Sequence, residues 1–420
     1  MGDNGVVPLA AITSGMTTGT ALPATTTYPP GATPPIAGAP PLPTVFVYSA
    51  AEWPPSNTVP DTTSPEVKEW LKELDGVEIP NWAPTVDGSC ANDPVAVSEA
   101  EKRRWWTCGK YTGVSDILVC PDKLTWGLTF DDGPSDTSKP SKPLKLLKYL
   151  GEKDLSATFF VVGSRVVEQP TILIEEYMQG HEIGVHTWSH SPLTSLTNEQ
   201  IVAELGWTRE AIRRVIGVSP LTMRPPYGDL DDRVRAISLA MGMIPVGWTS
   251  GPSGPMDTND WKVAGGLATG PEAFATFSTI LEQASAMDTG FLVLEHDIYE
   301  ITVDLATGYF LPSAQTHNPP FTVSTAGECA KIPPTDLYAE TTTNTTFPRT
   351  SSSSGKASNS TSSSSKTSSS TPSNSKSSGS SSNSTSAASV ASNSSAAVGS
   401  ILPGLSVLAT VVLAIVPTLL

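Results

Sequence analysis

The sequence predicts an α/β fold, a distorted (β/α) barrel flanked by disordered Pro-rich and Ser-rich segments. Three observations carry that reading. Short runs of β-branched and aromatic residues alternate with amphipathic helical stretches between residues 124 and 294, the pattern of a parallel sheet with right-handed crossovers. The two ends are compositionally unlike the middle: 13 of the first 65 residues are Pro, and 27 of residues 351–400 are Ser, with no acid and no aromatic among them. Neither end can bury enough apolar surface to offset the entropy of ordering it. What remains, residues 66–340, is one sizeable domain, at which length a closed or distorted barrel is favoured over an open sheet.

The elements follow in order. Ser64-Pro65-Glu66 opens a short helix that runs through Trp70 and Leu71 to stop near Gly76, with Ser as cap, Pro at the first helical position and Glu facing the helix dipole. Residues 124–130 read as a strand, 144–150 as a helix and 157–162 as a buried strand. A helix over 171–178 and a short strand over 181–185 come next. Residues 198–215 form a helix with Ile201, Leu205, Ala211 and Val215 on one stripe. The series closes with a strand at 221–223, a helix at 231–240, a strand at 243–248, a helix at 271–286 and a strand at 291–294. In such a barrel the strand ends near Asp131, His186, Arg224 and His296 share one face.

The organisation expected around this core is a Pro/Thr-rich extended segment (1–65), an extension packed on the core (66–117), the main domain (118–324), a short C-terminal extension (325–340), a Ser/Thr-rich glycosylated linker (341–400) and a hydrophobic tail (401–420). Four cysteines, Cys90, Cys108, Cys120 and Cys329, with no CxxC pair, fit disulfides made in an oxidising compartment. Of the three possible pairings, Cys108 with Cys120 is the local one, which leaves Cys90 to tie the start of the domain to its end at Cys329.

Charge excludes one class of partner. The chain carries a formal charge of −16, and its last 70 residues hold Lys356, Lys366 and Lys376 with no acid, so the remainder stands at −19. Such a domain repels phosphate backbones, so no nucleic-acid partner is expected. It tolerates a neutral polymer, or one that becomes cationic as it is processed. Oligomeric state leaves no trace in the sequence.

Residues 401–420 are apolar and uncharged throughout. Without a basic residue beyond them, and with small residues Asn393-Ser394-Ser395 and a polar spacer ahead, they fit a glycosylphosphatidylinositol (GPI) signal better than a membrane span, with Asn393 as the attachment residue. Such a signal is read in the secretory pathway and implies a leader, yet Met1-Gly2-Asp3-Asn4 is not basic and the apolar run at 6–12 is broken by Pro8. Sequons at Asn344, Asn359, Asn383 and Asn393 all fall in the tail, consistent with a glycosylated stalk.

Five short segments carry chemistry. Thr129-Phe130-Asp131-Asp132-Gly133-Pro134 ends a strand with two diverging carboxylates, although Asp-Gly-Pro alone is an ordinary turn. His186-Thr187-Trp188-Ser189-His190 places two of the five histidines at a spacing that, with a carboxylate, suits a divalent metal and leaves a position open. The bland alternative is a pair of core or capping histidines; His181 reads as structural and His317 as a loop residue. Arg224-Pro225-Pro226-Tyr227-Gly228 is a rigid turn in which Arg224 can grip a carboxylate and backbone N–H groups near Tyr227 can meet an oxyanion. In Asp257-Thr258-Asn259-Asp260-Trp261, Asp260 can orient a histidine and Trp261 can wall a sugar site, while helix capping is the simpler role for either acid. Finally, Leu292-Val293-Leu294-Glu295-His296-Asp297 delivers a histidine at the end of a buried strand, placed to donate a proton near neutral pH.

In this order, the five segments resemble the polysaccharide deacetylases of carbohydrate esterase family 4, and most of all their fungal, GPI-anchored chitin deacetylases, over residues 118–324. The resemblance implies Asp131 as general base and Asp132, His186 and His190 as ligands of one divalent ion, Zn²⁺ or Co²⁺. It implies Arg224 as the tether of Asp131, Tyr227 as an oxyanion-hole N–H, and His296 as general acid oriented by Asp260. Asp131, Tyr227, Trp261 and Leu294 would contact substrate, the last two around the acetyl methyl group. The implied reaction is removal of N-acetyl groups from N-acetylglucosamine units of chitin, giving chitosan and acetate at the plasma membrane and cell wall of a fungus. One departure is the Gly/Pro-rich stretch 249–256 between Trp248 and Asp257, longer than the family link and placed to reshape a cleft wall. Two other readings stay open: an esterase of O-acetylated xylan using the same site, and a non-catalytic wall mannoprotein that binds chitin through exposed Trp. Intact metal and acid–base positions weigh against the last.

Overall fold

A strand expected over 124–130 proves to be two. β1 (Thr125–Gly127) and β2 (Thr129–Asp131) flank Leu128, where the chain changes partners: Leu128 N–H donates to Ser324 O, and its carbonyl accepts from Thr158 N–H. In the computed structural model, which describes residues 6–16, 28–135 and 142–344, this switch joins two parallel sheets. One runs β2, β3 (Thr158–Val161), β4 (Glu182–Val185), β5 (Thr222–Met223), β6 (Ile244–Pro245). A small antiparallel hairpin, β7 (Ser250–Gly251) and β8 (Gly254–Pro255), precedes β9 (Phe291–Leu292) and β10 (Thr322–Ser324), and β1 lies between these last two.

Isolated bridges rather than ladders close the ring. Asp131 bridges to His296, Asp257 to Leu294 and Ile117 to Val246, and Thr249 N–H reaches Leu292 O at 3.1 Å. The result is an α/β fold of the distorted-barrel kind. Both faces of the parallel strands are covered, which is why Thr158, Phe159, Phe160 and Val161 are all buried. Helix Asn198–Ile216 packs over this core; Thr197 and Gln200 cap its start reciprocally and Gly217, at φ 85°, ends it. Ser64 caps helix Pro65–Trp70 as the sequence indicates. Helices Gly163–Glu168, Asp260–Ala264 and Glu300–Leu305 were not foreseen, because five or six residues are too few to set a period.

The amino-terminal segment departs from expectation in an informative way. Its described residues are largely extended, but they pack on the core: Ile12, Leu42 and Trp53 are buried. Trp53 stacks on Trp188 at 6.0 Å and 8° and meets Trp207 edge-on. A Pro-rich chain loses less entropy on ordering than its composition alone suggests, since proline is already restricted.

The disulfides also correct the local pairing. They join Cys90 to Cys108 and Cys120 to Cys329. Helix Ala326–Cys329 packs on β1, with Cys329 Sγ against Gly127. Cys120 lies at the foot of the same strands, its carbonyl accepting from Gly290 N–H.

The stretch 249–256 forms the β7–β8 hairpin. Its tip is held by Gln283, whose Oε1 accepts from Ser253 N–H. Gln283 lies near the C-terminal end of helix Gly270–Ala286. Helices of a βα unit end on the face where strands begin, so the hairpin tip points away from the strand ends that carry the acids and histidines.

Among the described residues no helix is long and apolar enough to cross a membrane. Asn344 is exposed. Asn359, Asn383, Asn393 and the tail 401–420 lie outside the described residues.

Candidate active site

Asp132, His186 and His190 offer three ligand atoms within 4.8 Å of one another. Asp132 Oδ1 lies 3.0 Å from His190 Nε2 and 3.4 Å from His186 Nε2. His186 Nδ1 is 2.8 Å from Arg224 O; a carbonyl only accepts, so Nδ1 carries the proton and Nε2 turns its lone pair toward Asp132. His190 Nδ1 is engaged by the Tyr227 hydroxyl at 3.2 Å. Asp132 Oδ1 is buried with no hydrogen-bond donor. Two imidazole nitrogens and an unsatisfied carboxylate oxygen are a donor set that fits a divalent ion.

The site is built on backbone that most side chains avoid. Asp132, Thr187, His190, Tyr227 and Asn259 all have φ between 59° and 79°. Each costs on the order of 1 kcal/mol, and Thr187, being β-branched, is the least natural of them. The surrounding fold sustains this cost where the chain must turn side chains inward.

Asp131 and Arg224 are both buried and paired at 2.8 Å. The same guanidinium Nη1 donates to Thr129 Oγ1 at 2.7 Å, and Nη2 donates to Gly247 O, so Arg224 cannot swing away. Asp131 Oδ2 is left 4.0 Å from His186 Nε2. Across the barrel, Asp260 uses both oxygens on His296: Oδ1 meets Nδ1 at 2.8 Å and Oδ2 accepts from the backbone N–H at 2.8 Å. Burial lowers the His296 pKa, but the Asp260 carboxylate outweighs it and carries the imidazole up to about 10. Tyr227 and Trp261 are 61% and 40% exposed, and Leu294, bridged to Asp257, is buried. Trp261 Nε1 donates to Asp257 Oδ2 at 3.3 Å. All the residues singled out on the five segments are thus brought to one end of the barrel.

Comparison with known proteins gives the same direction. Residues 119–246 match the family described as polysaccharide deacetylase. The chain is 47% identical over 355 residues to chitin deacetylase 1 of Cryptococcus neoformans var. grubii, covering 83% of this chain and 73% of that protein. This chain belongs to the polysaccharide deacetylase family. It is also 34% identical to the chitin deacetylase of Amylomyces rouxii, spanning 62% of this chain and 63% of that one. Among solved structures, a chitin deacetylase from Colletotrichum lindemuthianum aligns at 25% identity and a TM-score of 0.48, covering 55% of this chain and 97% of that chain.

The cluster rests on residues that the five segments do not contain. Glu204, on helix Asn198–Ile216, is fully buried and reaches under the histidine loop, where Oε2 accepts from Trp188 N–H at 2.7 Å and Ser189 N–H at 2.9 Å, and Oε1 from Ser189 Oγ at 2.5 Å. Burial pushes this carboxyl up to about 7 against those bonds. From the other side, Trp188 donates its indole N–H to Pro55 O at 3.0 Å. Asp229 is buried below loop 224–228 and accepts from Thr194 N–H, Thr194 Oγ1, Trp105 Nε1 and Thr107 Oγ1. An acid set beside an otherwise apolar helix stripe was a readable signal for Glu204; Asp229 and Trp53 gave none.

Proposed function

We propose that the chain is a metal-dependent hydrolase that removes N-acetyl groups from N-acetylglucosamine units of chitin, releasing acetate and leaving chitosan. The observation that carries this reading is the convergence of two pairs and a triad at one barrel end: Asp131 with Arg224, His296 with Asp260, and Asp132 with two histidines. The likeness to chitin deacetylase 1 supports chitin over xylan as the polymer.

Asp132, His186 and His190 would hold a divalent ion, Zn²⁺ or Co²⁺, which would supply Lewis acidity toward an acetyl carbonyl. Asp131, held in place by Arg224 at 2.8 Å, takes the proton of the attacking water. The N–H of Tyr227 meets the developing oxyanion. An amide nitrogen cannot leave as an anion, so His296 protonates it, and Asp260 fixes the ring and keeps it charged. Trp261 and Leu294 bound the space for the acetyl methyl group. Secretion, N-glycosylation at Asn344, Asn359 and Asn383, a GPI anchor at Asn393 and action at the membrane and wall complete the proposal.

The test is acetate release from N-acetylglucosamine oligomers by the full chain, before chelation, after it, and after Zn²⁺ or Co²⁺ is restored. Release that depends on the metal and is abolished by His186→Ala is the expected result. A metal-loaded protein that frees acetate from neither chitin oligomers nor acetylated xylan would sink the catalytic reading.

A further inference from the structure

The two histidines beside Asp132 are held by different kinds of partner, and one loop supplies both. His186 Nδ1 meets the Arg224 carbonyl at 2.8 Å, and His190 Nδ1 meets the Tyr227 hydroxyl at 3.2 Å. A carbonyl only accepts, so it allows neutral His186 a single tautomer, with the proton on Nδ1 and the Nε2 lone pair facing Asp132. A phenol hydroxyl donates or accepts, so it allows His190 either one.

The second tautomer of His190 has a partner ready. Its Nε2 lies 3.0 Å from Asp132 Oδ1, closer than His186 Nε2 at 3.4 Å. With the proton on Nε2, His190 donates to that carboxylate and accepts the Tyr227 O–H on Nδ1. With the proton on Nδ1, it donates to Tyr227 and turns the Nε2 lone pair toward the place of an ion. One histidine is preset and the other is free to switch.

Both ends of the His190–Tyr227 bond are anchored. The Tyr227 ring stands edge-on to His190, with centroids 4.7 Å apart at 67°. Pro225 and Pro226 fix the chain ahead of it, Gly228 N–H donates to Pro225 O at 3.0 Å and Asp229 N–H donates to Pro226 O at 2.9 Å. Gly228 lies so close under Trp106 that a Cβ there would be 2.4 Å from the indole. On the other side, His190 N–H donates to Thr187 Oγ1 at 3.1 Å. Tyr227 is nevertheless exposed, so its hydroxyl can exchange protons with water.

We propose that the Tyr227 side chain is a positioning residue of the metal site: it lets His190 pass from the Nε2–H tautomer, paired with Asp132, to the Nδ1–H tautomer that ligates, and holds it there. The protons balance. Water takes the Nε2 proton, Tyr227 passes its own to Nδ1, and Tyr227 regains one from water. An imidazole whose Nε2 faces a cation is the stronger donor at Nδ1, so the bond to the phenol oxygen tightens in the loaded form. This role is separate from that of the Tyr227 backbone N–H. The inference rests on the metal centre of the proposed function and not on its substrate.

Five histidines in the whole chain are few enough for NMR of nitrogen-labelled histidine to read each ring, with His186→Gln and His190→Gln identifying the two signals. The expected result is that His186 carries its proton on Nδ1 with and without Zn²⁺, whereas His190 moves its proton from Nε2 to Nδ1 as Zn²⁺ is added. Chelator competition reads the side chain's part. Tyr227→Phe keeps the ring, so the metal-free variant should melt with the native protein. Its Zn²⁺ dissociation constant should rise about three- to tenfold, at or below the low end for an outer partner of a ligating histidine, because water can replace an exposed hydroxyl. A His190 proton already on Nδ1 without Zn²⁺, or native affinity in Tyr227→Phe, would overturn the assignment. A native protein that takes up no Zn²⁺ overturns the metal centre along with it. If Zn²⁺ binds and the His190 proton moves, yet no oligomer yields acetate, the reaction falls and the assignment stands.

Discussion

Asp131 and Asp260 are both buried carboxylates at the same barrel end, yet the fold uses them in opposite ways. Asp131 gives one oxygen to Arg224 and keeps the other facing His186 and the open side of the site. Asp260 gives both oxygens to His296 and adds a bond from Trp261 N–H at 2.7 Å. A carboxylate with a spare oxygen can accept a proton from substrate. One with none can only hold its neighbour in place and in charge. Role follows from how many lone pairs the protein has already taken, not from residue type.

Breaking the first member of the pair should cost most. Asp131→Asn keeps the shape and the Arg224 contact but removes the base, so acetate release should fall by about 10²- to 10⁴-fold. Metal content measured on the same sample should be unchanged, because Asp132 and the two histidines are left intact. Loss of metal along with activity would mean that Asp131 is a ligand rather than a base.

Asp260→Asn tests the other member, and its signature lies in the pH profile. A general acid works while protonated, so activity persists below the pKa of His296 and is lost as pH rises through it. With Asp260 in place that value is about 10. Removing the carboxylate charge should bring the alkaline limb of kcat/KM down toward the ordinary imidazole value near 6.5, with a loss of about 10- to 100-fold at pH 8. An alkaline limb that stays put would show that His296 is not the acid.

Glu204 sharpens the comparison, being a third buried carboxylate and one that bonds the backbone and side chains of the histidine loop. It should act on metal retention rather than on the chemical step. Glu204→Ala leaves the converging Trp188 and Ser189 backbone N–H groups without their acceptor, so the histidine loop should relax and the metal dissociation constant rise about ten- to hundredfold. With metal in excess kcat should recover, an outcome that Asp131→Asn cannot give. Unaltered metal affinity would remove Glu204 from the site.

How much of this was legible follows from how far apart the partners lie. The strands were readable where burial on both faces demands β-branched and aromatic runs, as in Thr158–Val161, and not readable where two residues of Ser, Gly or Pro make the strand, as in Ser250–Gly251 and Gly254–Pro255. Segment chemistry was readable because Asp131-Asp132 and His186…His190 are local in sequence. The second layer was not. Trp105 reaches Asp229 across 124 residues and Trp188 reaches Pro55 across 133, and no spacing rule links such pairs. The disulfides fail for the same reason: nearness in sequence favoured Cys108 with Cys120, while the return of helix Ala326–Cys329 to β1 decided the outcome.

Asp229 supplies the smallest and most selective effect. It is a fourth buried carboxylate, but its four donors come from the extension and from the segment around Thr194, and it touches neither substrate groups nor metal ligands. Asn in its place accepts through one oxygen and leaves backbone and side-chain donors facing an NH₂. Thermal or denaturant unfolding should show a loss of about 1–3 kcal/mol, with kcat on short oligomers changed by less than about threefold. If stability holds and kcat collapses instead, Asp229 belongs with Asp131 and Asp260 as part of the reacting site, and the division between carboxylates that react and carboxylates that brace is drawn in the wrong place.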